Sequence, residues 1–340
     1  MKLSDACASM SSNIAQKDIS DCEGEYPIFG ASGLIGNVDF YKQEKPYIGI
    51  VKDGAGVGRA YLLPGKSSVI GTMQYILPKS NADITYLYYA IQFMHLEKYY
   101  NGATIPHIYF RDYKHEPLIL PELPEQQEKA QVLATIDKLI SLHKMQVEMV
   151  DKLVKSRFIE MFGDPVMNSK GFPTRKGEDF FKLSNGKAVP SDKRKESGVP
   201  AYGGNGISWY TDDVLCSKDT IVVGRVGFQS GNVHYAEAPI WITDNAMYVS
   251  WYDENSYDLK FLCAMMEYIN FSKFQDMGDL KKVTQKPFME FRYICPPLQE
   301  QRQYVDFVAL ADKSKLAIQQ SIDTLQTLKA KLMQDYFGRK

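Results

Sequence analysis

The sequence predicts an α+β fold: two mixed α/β domains separated by an antiparallel two-helix coiled coil, arranged as a pseudo-twofold internal repeat. Three observations predict it. Short signatures recur in the same order about 173–175 residues apart. Each copy opens with a Gly-punctuated, strand-rich stretch, and each closes on a long segment whose apolar residues recur every 3.5 positions.

The recurrences fix the boundaries. Tyr26-Pro27-Ile28-Phe29-Gly30-Ala31-Ser32-Gly33 reads like Val199-Pro200-Ala201-Tyr202-Gly203-Gly204-Asn205-Gly206, and the turn Lys52-Asp53-Gly54-Ala55-Gly56-Val57-Gly58 like Arg225-Val226-Gly227-Phe228-Gln229-Ser230-Gly231. Met73-Gln74-Tyr75-Ile76 pairs with Ala246-Met247-Tyr248-Val249, Leu123-Pro124-Glu125-Gln126-Gln127 with Leu298-Gln299-Glu300-Gln301-Arg302, and Phe162-Gly163 with Phe337-Gly338. Such a period is far longer than that of a solenoid, so whole domain-plus-helix units are repeated.

The first domain spans 1–121 and the second 165–296. Runs such as Thr220-Ile221-Val222-Val223 read as strands between Gly turns, while Thr85 to Tyr100 and Asp258 to Phe274 read as helices; strand order is not readable. Spacer helices follow at 122–164 and 297–340, entered past Pro121 and Pro124, or Pro296 and Pro297. Glu125 to Met161 contains neither proline nor glycine, and its stripe is Leu133, Ile136, Ile140, Val147, Val150, Val154 and Met161, with His143 and Arg157 included. The second stripe is Val308, Ala311, Ile318, Ile322, Leu325, Leu332 and Tyr336. This is the seam of a coiled coil, and antiparallel pairing of the two helices would bring the C-terminus near residue 1. Roughly 36 residues at about 1.5 Å each give a rod of about 54 Å.

Composition excludes several classes. A chain of 340 residues, 44% hydrophobic and 24% charged, suits two ordinary globular domains. Lys+Arg of 40 against Asp+Glu of 41 excludes a strongly basic nucleic-acid binder but leaves room for local basic faces such as Lys187, Lys193, Arg194 and Lys195, or Lys281, Lys282 and Lys286. The five cysteines, at 7, 22, 216, 263 and 295, include no CxxC and predict free thiols in a reducing compartment. No apolar run approaches the roughly 20 residues of a membrane span, and the first residues lack the apolar core of a signal peptide; a soluble cytoplasmic protein is expected. The histidines, at 95, 107, 115, 143 and 234, lack metal-ligand spacing, and no phosphate-binding Gly-x-x-x-x-Gly-Lys loop occurs. The Cys295-Pro296-Pro297-Leu298 sequence has the wrong flanks for the Asn/Asp-Pro-Pro-Phe/Tyr loop of an adenine methyltransferase. No catalytic residue, cofactor or metal is expected. The tryptophans, 209, 241 and 251, are expected to pack in the core or along strands.

The Gly-x-x-Gly turn after an extended proline, the Lys/Arg-x-Gly-x-x-x-Gly turn and the Leu-Pro-Glu-Gln-Gln and Leu-Gln-Glu-Gln helix entries, each in both repeats, resemble the specificity subunit of type I restriction–modification systems. The resemblance covers essentially the whole chain. It implies two target-recognition domains that each read one half of a split duplex DNA target, helices that fix the spacing, and no catalysis by this subunit. The partners implied are double-stranded DNA, two copies of the methyltransferase subunit and the restriction subunits, with S-adenosylmethionine, ATP and magnesium belonging to those partners. On the residues alone, a rod with a reader at each end turns half-site separation into a geometric quantity, capped near 16 base pairs at about 3.4 Å each. Similar but unequal repeats imply an asymmetric target. The other reading the residues allow is a non-DNA scaffold of two ligand-binding domains spaced by a coiled coil.

Arg and Lys suit guanine or phosphate, and Asn and Gln suit adenine. The candidate DNA-binding residues are Lys52, Arg59, Thr104, His107, Tyr109 and Arg111 in the first repeat, and Asn205, Arg225, Gln229, Lys281, Lys282, Thr284 and Gln285 in the second. Gly30, Gly33, Gly54, Gly58, Gly203, Gly206, Gly227 and Gly231 are expected to serve turn geometry. With a net charge of -1, the isolated chain is expected to bind DNA weakly and with strong salt dependence.

Overall fold

Short runs of β-branched and aromatic residues, ended by Gly, Pro or polar turns, become strands in the computed structural model, which describes residues 1–19, 23–100, 106–276, 278 and 281–338. Contacts divide the chain into two units, 1–146 with 318–340, and 147–317.

The first unit holds β1 (Cys7–Ser11), β2 (Tyr26–Gly30), β3 (Gly33–Val38), β4 (Tyr47–Val51), β5 (Ala60–Leu63), β6 (Ser68–Val69) and β7 (Met73–Pro78). Helices α1 (Leu3–Ala6), α2 (Ile84–Phe93) and α3 (Phe110–Tyr113) follow the same chain, and the long α4 (Leu123–Phe162) begins here. An antiparallel sheet runs β1-β7-β4-β5, and a smaller one runs β3-β2-β6 with β2 and β6 parallel. The second unit holds β8 (Thr174–Lys176), β9 (Phe181–Asn185), β10 (Val199–Gly203), β11 (Gly206–Thr211), β12 (Thr220–Gly224), β13 (Val233–Ala236), β14 (Trp241–Ile242), β15 (Ala246–Tyr252) and β16 (Arg292–Ile294). Its helices are α5 (Leu259–Ile269), α6 (Lys286–Glu290) and the long α7 (Leu298–Phe337). The sheets run β13-β12-β15-β9, β11-β10-β14 and β16-β8. The strand order that the sequence hides is therefore the same in both repeats, with β9 to β15 standing in for β1 to β7.

Burial explains the central strands. β4 and β12 are buried at all five positions, so each reads as a continuous apolar run rather than an alternating one. In the first unit Ile48, Ile50 and Ile76 of the sheet pack under Leu87, Ala90 and Ile91 of α2. In the second, Ile221, Val223 and Met247 do the same under Phe261, Leu262 and Met265 of α5.

Each helix expected over Thr85 to Tyr100 and Asp258 to Phe274 is in fact two. The α-helices stop at Phe93 and Ile269, and single 3-10 turns follow at Leu96–Tyr99 and Phe271–Phe274. His95 (φ 52°) and Asn270 (φ 58°) make the break, because a left-handed residue cannot continue a right-handed helix. Asn270 also accepts the Ser272 N–H at 3.3 Å, capping the new turn. The tryptophans lie on strands β11, β14 and β15, as one of the two expected placements has it; none is fully buried, and Trp251 is exposed.

The long helices α4 and α7, 40 residues each, pack together as a coiled coil. In the first unit Ile136, Ile140 and Ile322 are buried against one another, with Ile318, Leu325 and Leu332 alongside. In the second, Phe158 meets Tyr304 at 5.4 Å, and Val154 and Val308 pack on the same core. Within each unit the later part of one helix meets the earlier part of the other, as antiparallel pairing requires. Met1 and Gly338 line one cavity, as that pairing also requires. Two seam positions of α7 that the apolar spacing skips are lysines. Lys329 pairs with Asp137 at 2.7 and 2.8 Å, and Lys315 with Asp151 at 3.1 Å. Such partly exposed pairs contribute about 0–1 kcal/mol, against about 1.5–3 kcal/mol for each fully buried isoleucine, so the apolar seam dominates and the lysines act chiefly on register. His143 is half-buried on the seam, with Nδ1 2.8 Å from Gln146 Oε1.

The repeated Glu-Gln helix entry has a physical cause. Gln126 is fully buried; its Oε1 accepts the Asp83 N–H at 2.8 Å, and its Nε2 donates to Asn81 O at 2.9 Å and Pro121 O at 2.8 Å. Gln301 repeats this, accepting from Asp258 N at 2.9 Å and donating to Ser256 O at 2.9 Å and Pro296 O at 2.8 Å. Asp83 and Asp258 in turn cap α2 and α5 through Tyr86 N and through Lys260 N and Phe261 N. Replacing Gln126 or Gln301 by Ala removes the partner of three main-chain groups, most of them part-buried. Urea unfolding should show a loss of about 1–3 kcal/mol for each variant. The exposed neighbour Gln127→Ala should stay within about 0.5 kcal/mol of the parent.

Candidate nucleic-acid interface

In each repeat a Gly-rich turn follows the buried central strand, and a later loop is clamped along it by main-chain hydrogen bonds. In the first unit Ile108 N donates to Lys52 O at 2.9 Å, and Gly54 N to Pro106 O at 2.8 Å. In the second, Val283 N donates to Arg225 O at 2.8 Å, and Gly227 N to Lys281 O at 2.8 Å. The partners are repeat equivalents, so one scaffold presents two different sets of side chains.

The first set joins Lys52 to His107, Tyr109 and Arg111. Lys52 is half-buried, with its ammonium 3.7 Å from Asp53. The rings of His107 and Tyr109 lie 5.0 Å apart, and the exposed Arg111 guanidinium sits 4.5 Å over Tyr109 and 3.5 Å from Asp112. Arg59 belongs to the far end of the turn; it donates to Tyr61 Oη at 3.3 Å, and its guanidinium lies against Gly56. Thr104 lies outside the described residues.

The second set is more closely gathered. Arg225 donates from its side chain to Asp244 O at 3.3 Å, and its N–H to Asn245 O at 2.9 Å. Asn205, exposed on the β10–β11 turn, and Gln229 both line a cavity of about 610 Å³ together with Arg194, Trp209, Phe228 and Asn245. The Gln229 side-chain Oε1 accepts from Asn232 Nδ2. Lys281 reaches over the Phe228 ring, 5.0 Å from its centroid, and Lys282 lies 4.0 Å from Asp276. Thr284 is exposed, and Gln285, donating to Asn185 Oδ1 at 3.4 Å, leads into α6. Sequence reasoning missed Phe228 and Trp209 as members of this surface. For Phe228 the sequence signal is a bulky apolar residue inside a Gly-flanked turn; Trp209 carries none, and only the fold brings its indole 5.2 Å from the guanidinium of Arg194.

The basic runs are partly neutralised. Lys193 lies 3.1 Å from Asp213, Lys195 pairs with Asp212, and Lys286 lies 3.7 Å from Glu290. No activated thiol is present in Cys7, Cys216 or Cys263. Burial pushes the Cys7 thiol up to about 12 and raises the other two as well. The Pro296-Pro297 pair belongs to the Gln301 clamp rather than to a base-holding loop. Among the described residues no group of three or more His, Cys, Asp or Glu is placed to hold a metal ion, and no helix is long and apolar enough to cross a membrane.

A family model described as the type I restriction modification DNA specificity domain matches residues 1–150 and 169–328. The chain belongs to this type I specificity family. A putative type I specificity subunit of Mycoplasma genitalium is 24% identical over 95% of this chain and 89% of its own length. The specificity subunit of the type I restriction enzyme MjaVIII of Methanocaldococcus jannaschii is 26% identical over 45% of this chain, a match that spans only 38% of that relative's length. Among solved structures, the type I restriction-modification S subunit from M. genitalium shares the fold with a TM-score of 0.71 at 20% identity, covering 100% of this chain and 96% of that one. A chain from a study of complex assembly and conformational transition in the type I system aligns with a TM-score of 0.55 at 14% identity, covering 99% and 96%. DNA sequence specificity is the general function of this family, and its specificity subunits are generally non-catalytic.

The clamped turns need their glycines. A Cβ on Gly58 (φ 86°) would lie 2.5 Å from Glu97 N, and one on Gly231 (φ 90°) 2.5 Å from Ser272 N. Gly58→Ala and Gly231→Ala combine this clash with about 1–2 kcal/mol of left-handed strain. Gly206→Ala (φ 92°), facing open space, carries the strain alone. Denaturation midpoints should rank the first two below the third.

Proposed function

We propose that this chain is the DNA-reading subunit of a type I restriction–modification complex. In this reading 1–121 and 165–296 each recognise one half of a bipartite, asymmetric duplex target. The helices of 122–164 and 297–340 set the spacer and dock two methyltransferase subunits and the restriction subunits. The observation that carries the proposal is the repeated main-chain clamp. It supports Lys52, His107, Tyr109 and Arg111 on one copy of the scaffold and Asn205, Arg225, Gln229, Lys281 and Lys282 on the other. Arg59, Thr104, Thr284 and Gln285 are assigned to the same two reading surfaces from their place in the sequence. Two equal scaffolds with unequal side chains suit a target whose halves differ.

Docking has its own support. On α4, Val132, Leu139, Leu142 and Met145 in the first unit are exposed apolar side chains, as are Met149 and Leu153 in the second. They lie outside the seam stripe, where a solvated helix face would carry charges. The near-neutral charge then fits a subunit whose partners supply most phosphate contacts.

Exchanging 1–121 for the corresponding segment of another family member should change one half of the motif methylated in cells that carry the cognate methyltransferase. Exchanging 165–296 should change only the other half. Methylome sequencing reads both, and a single exchange that altered both halves would refute modular reading. In the assembled methyltransferase complex, Lys281→Ala with Lys282→Ala should weaken binding to all duplexes alike. The slope of log affinity against log salt should become shallower by about 2 if both lysines meet phosphates. A complex with no sequence preference for DNA would favour the scaffold reading instead.

A further inference from the structure

We propose that Phe228 is a specificity-determining residue whose ring rests against the C5 methyl of a thymine in the half-site read by the second unit. This rests on the DNA-reading function proposed above. Phe228 is 80% exposed, yet the main chain that carries it is held from three sides. Gly227 N donates to Lys281 O at 2.8 Å, Gln275 Nε2 donates to Phe228 O at 3.3 Å and to Ser230 O at 2.6 Å, and Gly231 packs against the backbone of Phe271 and Ser272. A phenyl ring is thus presented to solvent on a fixed turn, forgoing the burial that aromatic side chains normally gain.

Its surroundings select the occupant. The Lys281 ammonium lies 5.0 Å from the ring centroid, Arg225 opens the same turn, and Lys282 follows Lys281 with Asp276 4.0 Å away, so the turn carries cations that favour an anionic partner, although Asp244 also lines the adjoining cavity. The ring also borders the cavity lined by Asn205, Gln229 and Thr243. The Thr243 hydroxyl is buried there without a hydrogen-bond partner. Amide and hydroxyl groups can read the polar edges of bases. A phenyl ring has no donor or acceptor, and the apolar feature that a base edge offers it in the major groove is the thymine methyl. The repeat equivalent in the first unit is Ala55, so the contact distinguishes the two halves.

The test uses the full chain assembled with its methyltransferase subunits, and duplexes carrying the methylated motif. Each thymine of the second half is replaced in turn by deoxyuridine, which lacks only the methyl. The parent complex should lose roughly 5–10-fold in affinity at one position, the scale of one apolar group removed from contact. Phe228→Ala should bind the thymine duplex weaker by a similar factor and no longer distinguish uracil there, while Phe228→Leu should keep part of the discrimination. First-half replacements should affect parent and variants equally. The inference is overturned if Phe228→Ala discriminates as the parent does, or if the second half contains no thymine. It also falls if the parent ignores every methyl while Phe228→Ala still binds weakly, which would mark the ring as a wedge between base steps. Reduced methyltransferase binding by Phe228→Ala without DNA would make the ring a protein contact instead. A parent complex without sequence preference would overturn the DNA-reading function itself, whereas a sequence-specific parent with an unaffected Phe228→Ala would overturn only this inference.

Discussion

The fold depends on a buried primary amide used twice. Gln126 and Gln301 each tie three main-chain groups together. These are the N–H of the aspartate that caps the domain helix, a carbonyl just before that aspartate, and a carbonyl of the proline-bearing strap that leads into the long helix. A side chain with two donors and one carbonyl is one of few that can meet this demand, since a carboxylate lacks the donors and an ammonium lacks the acceptor. Because the amide itself is fully buried, its own donors and acceptor must find these partners, and that cost holds the geometry. The other ends of the long helices are seated by aromatic contacts within each unit: Tyr86 with Phe337 at 5.0 Å in the first, and Phe162 with Phe261 at 4.8 Å in the second.

Duplication under this constraint separates what must stay from what is free to change. The strand order, the amide clamp, the left-handed break after the domain helix and the close approach at Gly58 and Gly231 all persist, because each is a main-chain requirement. Side chains that only decorate the clamped turn differ between the repeats: Lys52 corresponds to Arg225, Ala55 to Phe228, and His107 to Lys282. A surface whose backbone is fixed and whose side chains vary suits recognition, since backbone contacts position and side chains specify.

This division also decides what the sequence reveals. The repeat, the two long helices and the glycine turns were legible because they rest on spacing and on backbone geometry. Lys315 and Lys329 were not read as seam residues, because their stems pack while their charges pair with Asp151 and Asp137; an apolar count skips them. The breaks at His95 and Asn270 were hidden because apolar residues continue on both sides, and nothing in the periodicity marks a left-handed residue. Of the candidate site, the residues next to the glycines were found by position. Phe228 and Trp209 were not, because aromatic residues in a β-rich domain are ordinarily core.

Charge completes the argument. A net charge of -1 is compatible with the proposed polyanionic partner once the pairing is followed residue by residue. Lys193, Lys195 and Lys286 are each matched by an acid beside them, so the runs that look basic in the sequence are partly neutralised. Lys281 lies over an aromatic ring, and Arg225 reaches a main-chain carbonyl, and neither contact cancels a full charge. Both cations therefore keep their charge beside the clamped turn of the second unit, where Lys282 lies 4.0 Å from Asp276. In the DNA-reading function proposed above, few uncancelled cations mean little non-specific affinity, which scales with the number of phosphates met, and leave discrimination to the side chains of the turn.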